Sequence, residues 1–397
     1  MNGALDGIRV LELGQLIAGP FCGQLLADNG AEVLKIEPPK TGDAMREWGR
    51  SDDNGKPIWW SVIARNKKSV TLNLRLAAGQ DILKQLVADA DVLIENFRPG
   101  TMERWGLSYE ELSRINPRLI MVRISGFGQT GPYAERAGFA SVCEAMGGLR
   151  HIAGYPDRPS VRSGISIGDS LAGVFGAMGA LLALQARHVT GRGQIVDSSI
   201  YESSLAMTEA IVAEYDRGGH IRSRTGPSLP GIAPSNAYPC SNERDVIIGA
   251  NQDTVYKRMC TAMDQPELAT DPRFDSHRSR GANAEELDDI IGQWTQTHTA
   301  EEVVKILSDA GVPVGLEFTA VEMLADPHYQ ERESIIHVAD AQGDKIAMQN
   351  VFPRLNDTTG QIRHTGPTLG EHTVETLTNL LGLSDQQVDL LRESGTI

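Results

Sequence analysis

The sequence predicts an α/β protein built on a parallel sheet, with a second, smaller domain. Three observations carry the prediction. Compact apolar strand patterns alternate with helix patterns through roughly the first third of the chain, the order a parallel sheet requires because each crossover consumes a helix. The 397 residues exceed what one ordinary domain uses. A Gly/Pro/Ser-rich stretch, "TGPSLPGIAPSN" (225–236), then separates that region from a mixed one.

Each element follows in order. "IRVLELG" (8–14) reads as a strand, and the Gly19-Pro20 pair opens a helix running to Ala27. "AEVLKIE" (31–37) is the next strand, completing a strand–helix–strand unit without the G-x-G-x-x-G of dinucleotide sites. "SVTLNL" (69–74), a helix from Ala78 to Ala88 and "DVLIENF" (91–97) form a third unit, and "LIMVRISGFG" (119–128) a further buried strand. Leu171 to Arg187 is apolar nearly all round, which predicts a buried helix whose Gly173, Gly176 and Gly179 allow close packing. Beyond the linker, a strand at 245–250 and helices near 252–263, 284–296 and 299–310 make the second domain. The tail reads as two helices, the last capped by Ser384 or Asp385.

Composition excludes several classes. A net charge of −15 disfavours nucleic acid and acidic membranes. The charge is uneven: residues 1–125 hold 16 Lys/Arg against 16 Asp/Glu, leaving 21 (37 − 16) against 36 (52 − 16) for the remainder. A polyanionic small molecule therefore fits the N-terminal third best. Four cysteines without a C-x-x-C, and histidines without H-E-x-x-H, argue against disulfide frameworks and local metal sites. No signal-peptide pattern precedes the first strand, so a cytoplasmic location is expected.

"SGISIGDSLAG" (163–173) contains two rival nucleophiles. Ser166 lies in a G-x-S-x-G pattern, but a nucleophile elbow needs a buried strand before it, and "YPDRPSVRSG" is no strand. Asp169 stands at the mouth of the long helix, where it or Ser170 can serve as an N-cap. There the helix dipole is expected to lower its pKa and hold it ionised, as nucleophilic catalysis on an acyl group requires. Arg75, Asn96, Phe97, Arg98 and Arg104 follow neighbouring strands, at the carboxyl ends where open α/β sheets bind ligands.

Taken together, "LDGIRVLELGQLIAGPFCGQLLADNGAEVLKIE", "NKKSVTLNLR", "DVLIENFRPG", "GDSLAG", "TGRGQIVDSSIYE" and "GPTLGEHT" resemble the family III CoA-transferases, which include formyl-CoA transferase and alpha-methylacyl-CoA racemase. The resemblance implies a Rossmann-like large domain from both chain ends (1–224 and 326–397), a smaller α+β domain between them (225–325), and ring-like subunits interlocked as a homodimer. It implies Asp169 as nucleophile, with CoA contacts at Gln15, Ala18, Leu72, Arg75, Asn96, Phe97 and Arg104; Arg98, named above from its place after the same strand, is a further candidate contact. Two positions depart from the family pattern: Pro38 stands where an arginine often follows K-I-E, and Phe139 where the racemase branch has a histidine. A phenyl ring moves no proton, which argues against racemisation. The segment 226–236 is the candidate for the family's glycine-rich covering loop.

The stretches around 139–172 and 214–238 are most similar to the branch using succinyl-CoA with malate, citramalate or related dicarboxylates. Substrate-binding candidates are Phe139 and Arg162, with Arg150, Arg158, Arg222 and Arg224 as further cations for a distal carboxylate. The expected reaction is CoA transfer from an acyl-CoA to a small carboxylic acid, with CoA as substrate and neither metal nor redox cofactor. The alternatives are an acyl-CoA racemase, a serine hydrolase using Ser166, and a CoA-binding protein without turnover.

Overall fold

In a computed structural model of the chain, six strands, β1 (Arg9–Glu12), β2 (Glu32–Glu37), β3 (Lys67–Thr71), β4 (Val92–Glu95), β5 (Ile120–Ser125) and β6 (Ile195–Ser199), form one sheet. The structure describes residues 3–52, 55, 57–340 and 342–397. Every pairing in the sheet is parallel, and the order is β3-β2-β1-β4-β5-β6. The chain builds outward from β1 to β3, then returns to lay β4 against the other side of β1. Loops leaving β1 and β4 therefore diverge, and a crevice opens at their carboxyl ends.

Alternate strand residues feed two cores, as a parallel sheet covered on both faces demands. Val10, Val33, Ile94 and Val122 face the helices Ala18–Asp28 and Ile167–Thr190. Leu11, Leu34, Leu93 and Met121 face the helix Ala77–Val87 and the C-terminal helices Thr373–Leu381 and Asp385–Glu393. The returning C-terminal segment thus completes the second face.

The helix Ile167–Thr190 differs from expectation in two ways. It begins four residues before Leu171, so Ser166 is its N-cap and Asp169 lies in its first turn rather than at the cap. It is also not buried all round. Its glycine side packs tightly: a Cβ on Gly173 would lie 2.9 Å from the Ala18 carbonyl oxygen, and one on Gly179 2.4 Å from Val196. The opposite side leaves Val174, Met178, Leu181, Leu182 and Val189 exposed, Val189 at 86%. By length and composition this helix is apolar enough to cross a membrane, yet its packed side belongs to the sheet's core.

The chain separates into two compact units, one of residues 1–150, 162–218 and 332–397, the other of 151–161 and 219–331. The second has its own three-stranded antiparallel sheet, β7 (Ser235–Pro239), β8 (Asp245–Gly249) and β9 (Val314–Leu316), covered by the helices Asp253–Ala262, Ala284–Thr295 and Ala300–Asp309 around Tyr238, Val246, Tyr256 and Phe274. The sequence-based boundaries at 224/225 and 325/326 differ from these edges, and the sequence reading places 151–161 in the larger domain.

Beneath the crevice lies a buried ionic network. The Lys35 ammonium stands 2.6 Å from Asp43 and 3.2 Å from Glu12, and donates to the Gly14 carbonyl oxygen. Lys67 stands 2.8 Å from the other Glu12 oxygen and donates to the Pro20 carbonyl at 2.6 Å. Burial alone would depress the Lys35 pKa, but Asp43, Glu12 and Glu37 hold it above the ordinary lysine range. Asp43 in turn accepts the Leu16 N–H at 2.9 Å, holding Leu16 at the left-handed φ of 64° that few L-residues adopt. Replacing Lys35 by Met should leave two carboxylates buried without their shared cation and destabilise the protein by about 3–5 kcal/mol. Urea unfolding checks this; a loss below about 1 kcal/mol, the range of surface pairs, would show that the network is not structural.

Candidate active site

Two loops define the cleft that holds Asp169, one after β1 and one after β4. Asn96 ties them together: its side-chain oxygen accepts the Gln15 N–H and its amide donates to the Gln15 carbonyl, both at 2.8 Å. Gly14 and Gly19 meet almost Cα to Cα against this pair, where a Cβ on either would lie 3.0 Å from the other's Cα. The result is a cleft of about 480 Å³ lined by Gln15, Ala18, Trp48, Asn96, Phe97, Arg98, Arg136, Phe139, Arg162, Ser166 and Asp169, among others. Its third wall is the loop after β5, where Gly126 and Gly138 approach closely enough that a Cβ on Gly126 would be 3.0 Å from the Gly138 Cα. That contact delivers Phe139, two-thirds exposed, to the rim.

Leu72 and Arg75 lie just beyond the end of β3 and line an adjoining groove of about 790 Å³ with Gln15, Pro38, Lys40, Phe97 and Trp105. Gln15 and Phe97 border both cavities, so the groove continues the cleft. Phe97 is braced edge-on by Trp105 at 5.2 Å. Arg104 donates to Thr101 at 2.9 Å and borders a third depression of about 840 Å³, which shares Arg98, Pro99 and Ala134 with the cleft. Among the arginines proposed for a distal carboxylate, Arg162 lines the cleft. Arg224 donates to the Tyr155 and His151 carbonyls, and Arg158 lies over the Tyr155 ring, all within the smaller unit.

The two rival nucleophiles differ sharply. Ser166 follows irregular backbone rather than a strand, makes no side-chain capping bond, and has no histidine among the cleft residues. The geometry of a nucleophile elbow is missing. The Asp169 carboxylate, by contrast, faces the cleft, and among the described residues nothing hydrogen-bonds it. Burial, and then the nearby Glu144 carboxylate, push its pKa up to about 6 against the pull of Arg162. This corrects the expectation of a lowered value. The helix dipole is real, but desolvation and a like charge outweigh it. At neutral pH the group is still mostly ionised, half-buried and unpaired, the state a carboxylate nucleophile needs.

Two lining residues, Arg136 and Trp48, and the buried Glu144 behind the cleft had a signal too weak to single out. Arg136 and Trp48 sit in irregular segments, and only the stacking of Arg136 over Tyr133, at 3.7 Å, orients it. Glu144 was legible only as a charge amid the apolar run "SVCEAM". Among the described residues no cluster of His, Cys, Asp or Glu could hold a metal ion.

Comparison with known proteins bears on the chain as a whole. The model of CoA-transferase family III matches residues 5–373. The chain is 56% identical over 393 residues to succinyl-CoA–D-citramalate CoA-transferase of Chloroflexus aurantiacus, covering 99% of this chain and 98% of that one. It is 39% identical to the succinyl-CoA–L-malate CoA-transferase beta subunit of the same organism, again over 99% and 98%. Among solved structures, a CAIB/BAIF family protein from Brucella suis superposes with a TM-score of 0.85 at 34% identity, covering 96% of this chain and all of the other.

A carboxylate whose folded pKa is raised costs stability once pH exceeds its unfolded value near 4, and the full cost is present above about 6. Asp169→Asn should therefore stabilise the protein at pH 7.5, on the order of 1–3 kcal/mol. The gain should vanish as pH falls from 6 towards 4. Chemical denaturation at several pH values checks it, and a variant that is no more stable at pH 7.5 would mean that Asp169 is not held in a desolvated site.

Proposed function

The chain belongs to CoA-transferase family III and is a transferase, and from that premise we propose that it moves CoA from succinyl-CoA to a small dicarboxylic acid of the malate or citramalate type, with Asp169 as nucleophile. One observation carries the proposal: an unpaired, half-buried carboxylate at the sheet's switch point shares its cleft with three arginines, Arg98, Arg136 and Arg162.

The reaction conserves thioester energy. An Asp169 oxygen attacks the thioester carbonyl and the C–S bond breaks, giving a mixed anhydride and CoA thiolate. The thiolate attacks the Asp169 carbonyl carbon and breaks the anhydride C–O bond, releasing the donor acid and leaving an aspartyl-CoA thioester. The acceptor carboxylate then attacks that thioester, expelling thiolate and forming the second anhydride. Attack of thiolate on the acceptor's carbonyl yields the new acyl-CoA and restores Asp169. A serine ester would hold too little energy to acylate CoA again. The sequence as written needs no metal and no redox cofactor.

The groove beside the cleft suits CoA. Arg75 and Lys40 supply charge for phosphates, Leu72 and Phe97 apolar surface, and Gln15 and Ala18 lead on to Asp169. Lys40 stands two residues beyond Pro38, so a cation is present near the place where the family arginine is missing. At the other end, Arg162 and Arg136 can meet the distal carboxylate of succinyl and acceptor groups, which a monocarboxylate would leave unsatisfied. Phe139, at the rim, provides no proton relay, in keeping with transfer rather than racemisation.

Assembly as an interlocked homodimer is part of the proposal. The exposed apolar side of the Ile167–Thr190 helix supports it, since monomers seldom leave such a stripe in water. A dimer should persist at nanomolar concentration in sedimentation; a folded monomer there would contradict it.

The catalytic proposal is tested with succinyl-CoA and a panel of carboxylic acids, new CoA esters being read by mass spectrometry, with hydroxylamine added in parallel to trap acyl-enzyme. The wild type should favour hydroxydicarboxylates over monocarboxylates and yield a hydroxamate on the peptide 163–187. Asp169→Asn should abolish transfer and trapping, whereas Ser166→Ala should keep both. An adduct on Ser166 that survives in the Asn variant would establish hydrolase-type chemistry instead.

A further inference from the structure

Glu144 is a charged residue in an apolar setting. It lies on the helix Ala140–Met146, with its side chain 1% exposed. Its Oε1 accepts the Gly168 N–H at 3.1 Å, and its Oε2 lies 3.9 Å from Arg162 Nε. The fit is close, since a Cβ on Gly168 would come within 2.8 Å of Glu144 Cγ.

The N–H groups in a helix's first turn have no acceptor within the helix. An N-cap side chain normally accepts one of them, but the N-cap Ser166 makes no such bond. Asp169, in that same first turn, is the obvious substitute, and a carboxylate drawn back onto the helix's own N–H groups would lose the lone pair it needs for attack. Glu144 removes that competition by filling the position from a different helix.

We infer that Glu144 is a positioning residue: by accepting the Gly168 N–H and engaging Arg162, it keeps the Asp169 carboxylate off the helix terminus and turned into the cleft. The inference rests on Asp169 being the nucleophile. It also links the two carboxylates electrostatically, because the Glu144 charge opposes ionisation of Asp169 while Arg162 favours it. The other titratable groups around the pair are Cys143 beside Glu144, Cys22 on the packed Ala18–Asp28 helix, and Arg98 and Arg136 along the cleft. On the packed Ile200–Leu205 helix, Tyr201 and Glu202 are engaged with each other and with Asp197.

Two variants separate this role from simple packing. Glu144→Gln keeps an acceptor for the Gly168 N–H and removes the charge. Its kcat should stay within about threefold of wild type while the acid limb of kcat/KM moves down by about one pH unit, the size expected when one like charge is removed. Glu144→Ala removes the acceptor as well, and kcat should fall about tenfold or more, the loss of one charged hydrogen bond, with CoA affinity unchanged. An unmoved acid limb in the Gln variant overturns the inference, whether its kcat is normal or as low as that of the Ala variant. If Glu144→Ala does not fold, the Gln variant's limb alone decides. Trapping the acyl group on Asp169 in the wild type keeps the outcomes apart: no adduct there refutes the nucleophile, whereas a normal adduct with an unmoved limb refutes only the part given to Glu144.

Discussion

Lys35 is enclosed by Asp43, Glu12 and the Gly14 carbonyl, and the loop after β1 takes its course from them. Buried ion pairs rarely add net stability over well-packed apolar groups, but they enforce one arrangement, because any other leaves a charge unpaired in a poorly polarisable interior. Here the arrangement includes Leu16 in a left-handed conformation and Gly14 against Gly19, with Gln15 presented to Asn96. Loosening the network would free Gln15 and Ala18 to move, and the cleft would lose one wall. Gly23 shows how tightly the helix above is fitted to it, since a Cβ there would lie 1.8 Å from a Glu12 carboxylate oxygen.

A second constraint acts at Asp169, the proposed nucleophile. A carboxylate is reactive when it is ionised yet poorly solvated, two conditions that oppose each other. Asp169 meets both by lying half-buried beside Arg162 and Glu144, at the end of a helix whose first N–H groups are partly occupied from elsewhere. The pKa of about 6 reflects that balance and not the dipole alone.

Much of this was legible in the sequence because parallel strands buried on both faces read as short apolar runs, and residues just after them fall at the carboxyl edge. Asn96 and Phe97 stand out that way, Gln15 and Ala18 only through the family resemblance, and Asp169 through its place before an apolar helix; all five line one cleft. Other features depend on distant segments meeting. The contact of Glu144 with Gly168 joins residues 24 apart on different helices, and no local pattern announces it. The start of the long helix was misplaced because Ile167 and Gly168 carry little helix signal of their own, and its exposed side was missed because an all-round apolar helix looks the same whether sheet or another subunit covers it. Arg104 joins the phosphate contacts in the sequence reading because it follows the strand at 91–97 and fits the family resemblance; the short helix Thr101–Arg104 places it on a depression that meets the cleft at Arg98, Pro99 and Ala134.

The claim on which the functional account turns is that the acceptor's own carboxylate becomes joined to Asp169. Transfer run with a dicarboxylate acceptor labelled with ¹⁸O in its carboxyl groups reads this out directly. Each turnover leaves one acceptor oxygen on the aspartate, so mass spectrometry of the peptide 163–187 should show ¹⁸O at Asp169, and after further turnovers label should appear in the released succinate. Product formation with no label at Asp169 would contradict the account.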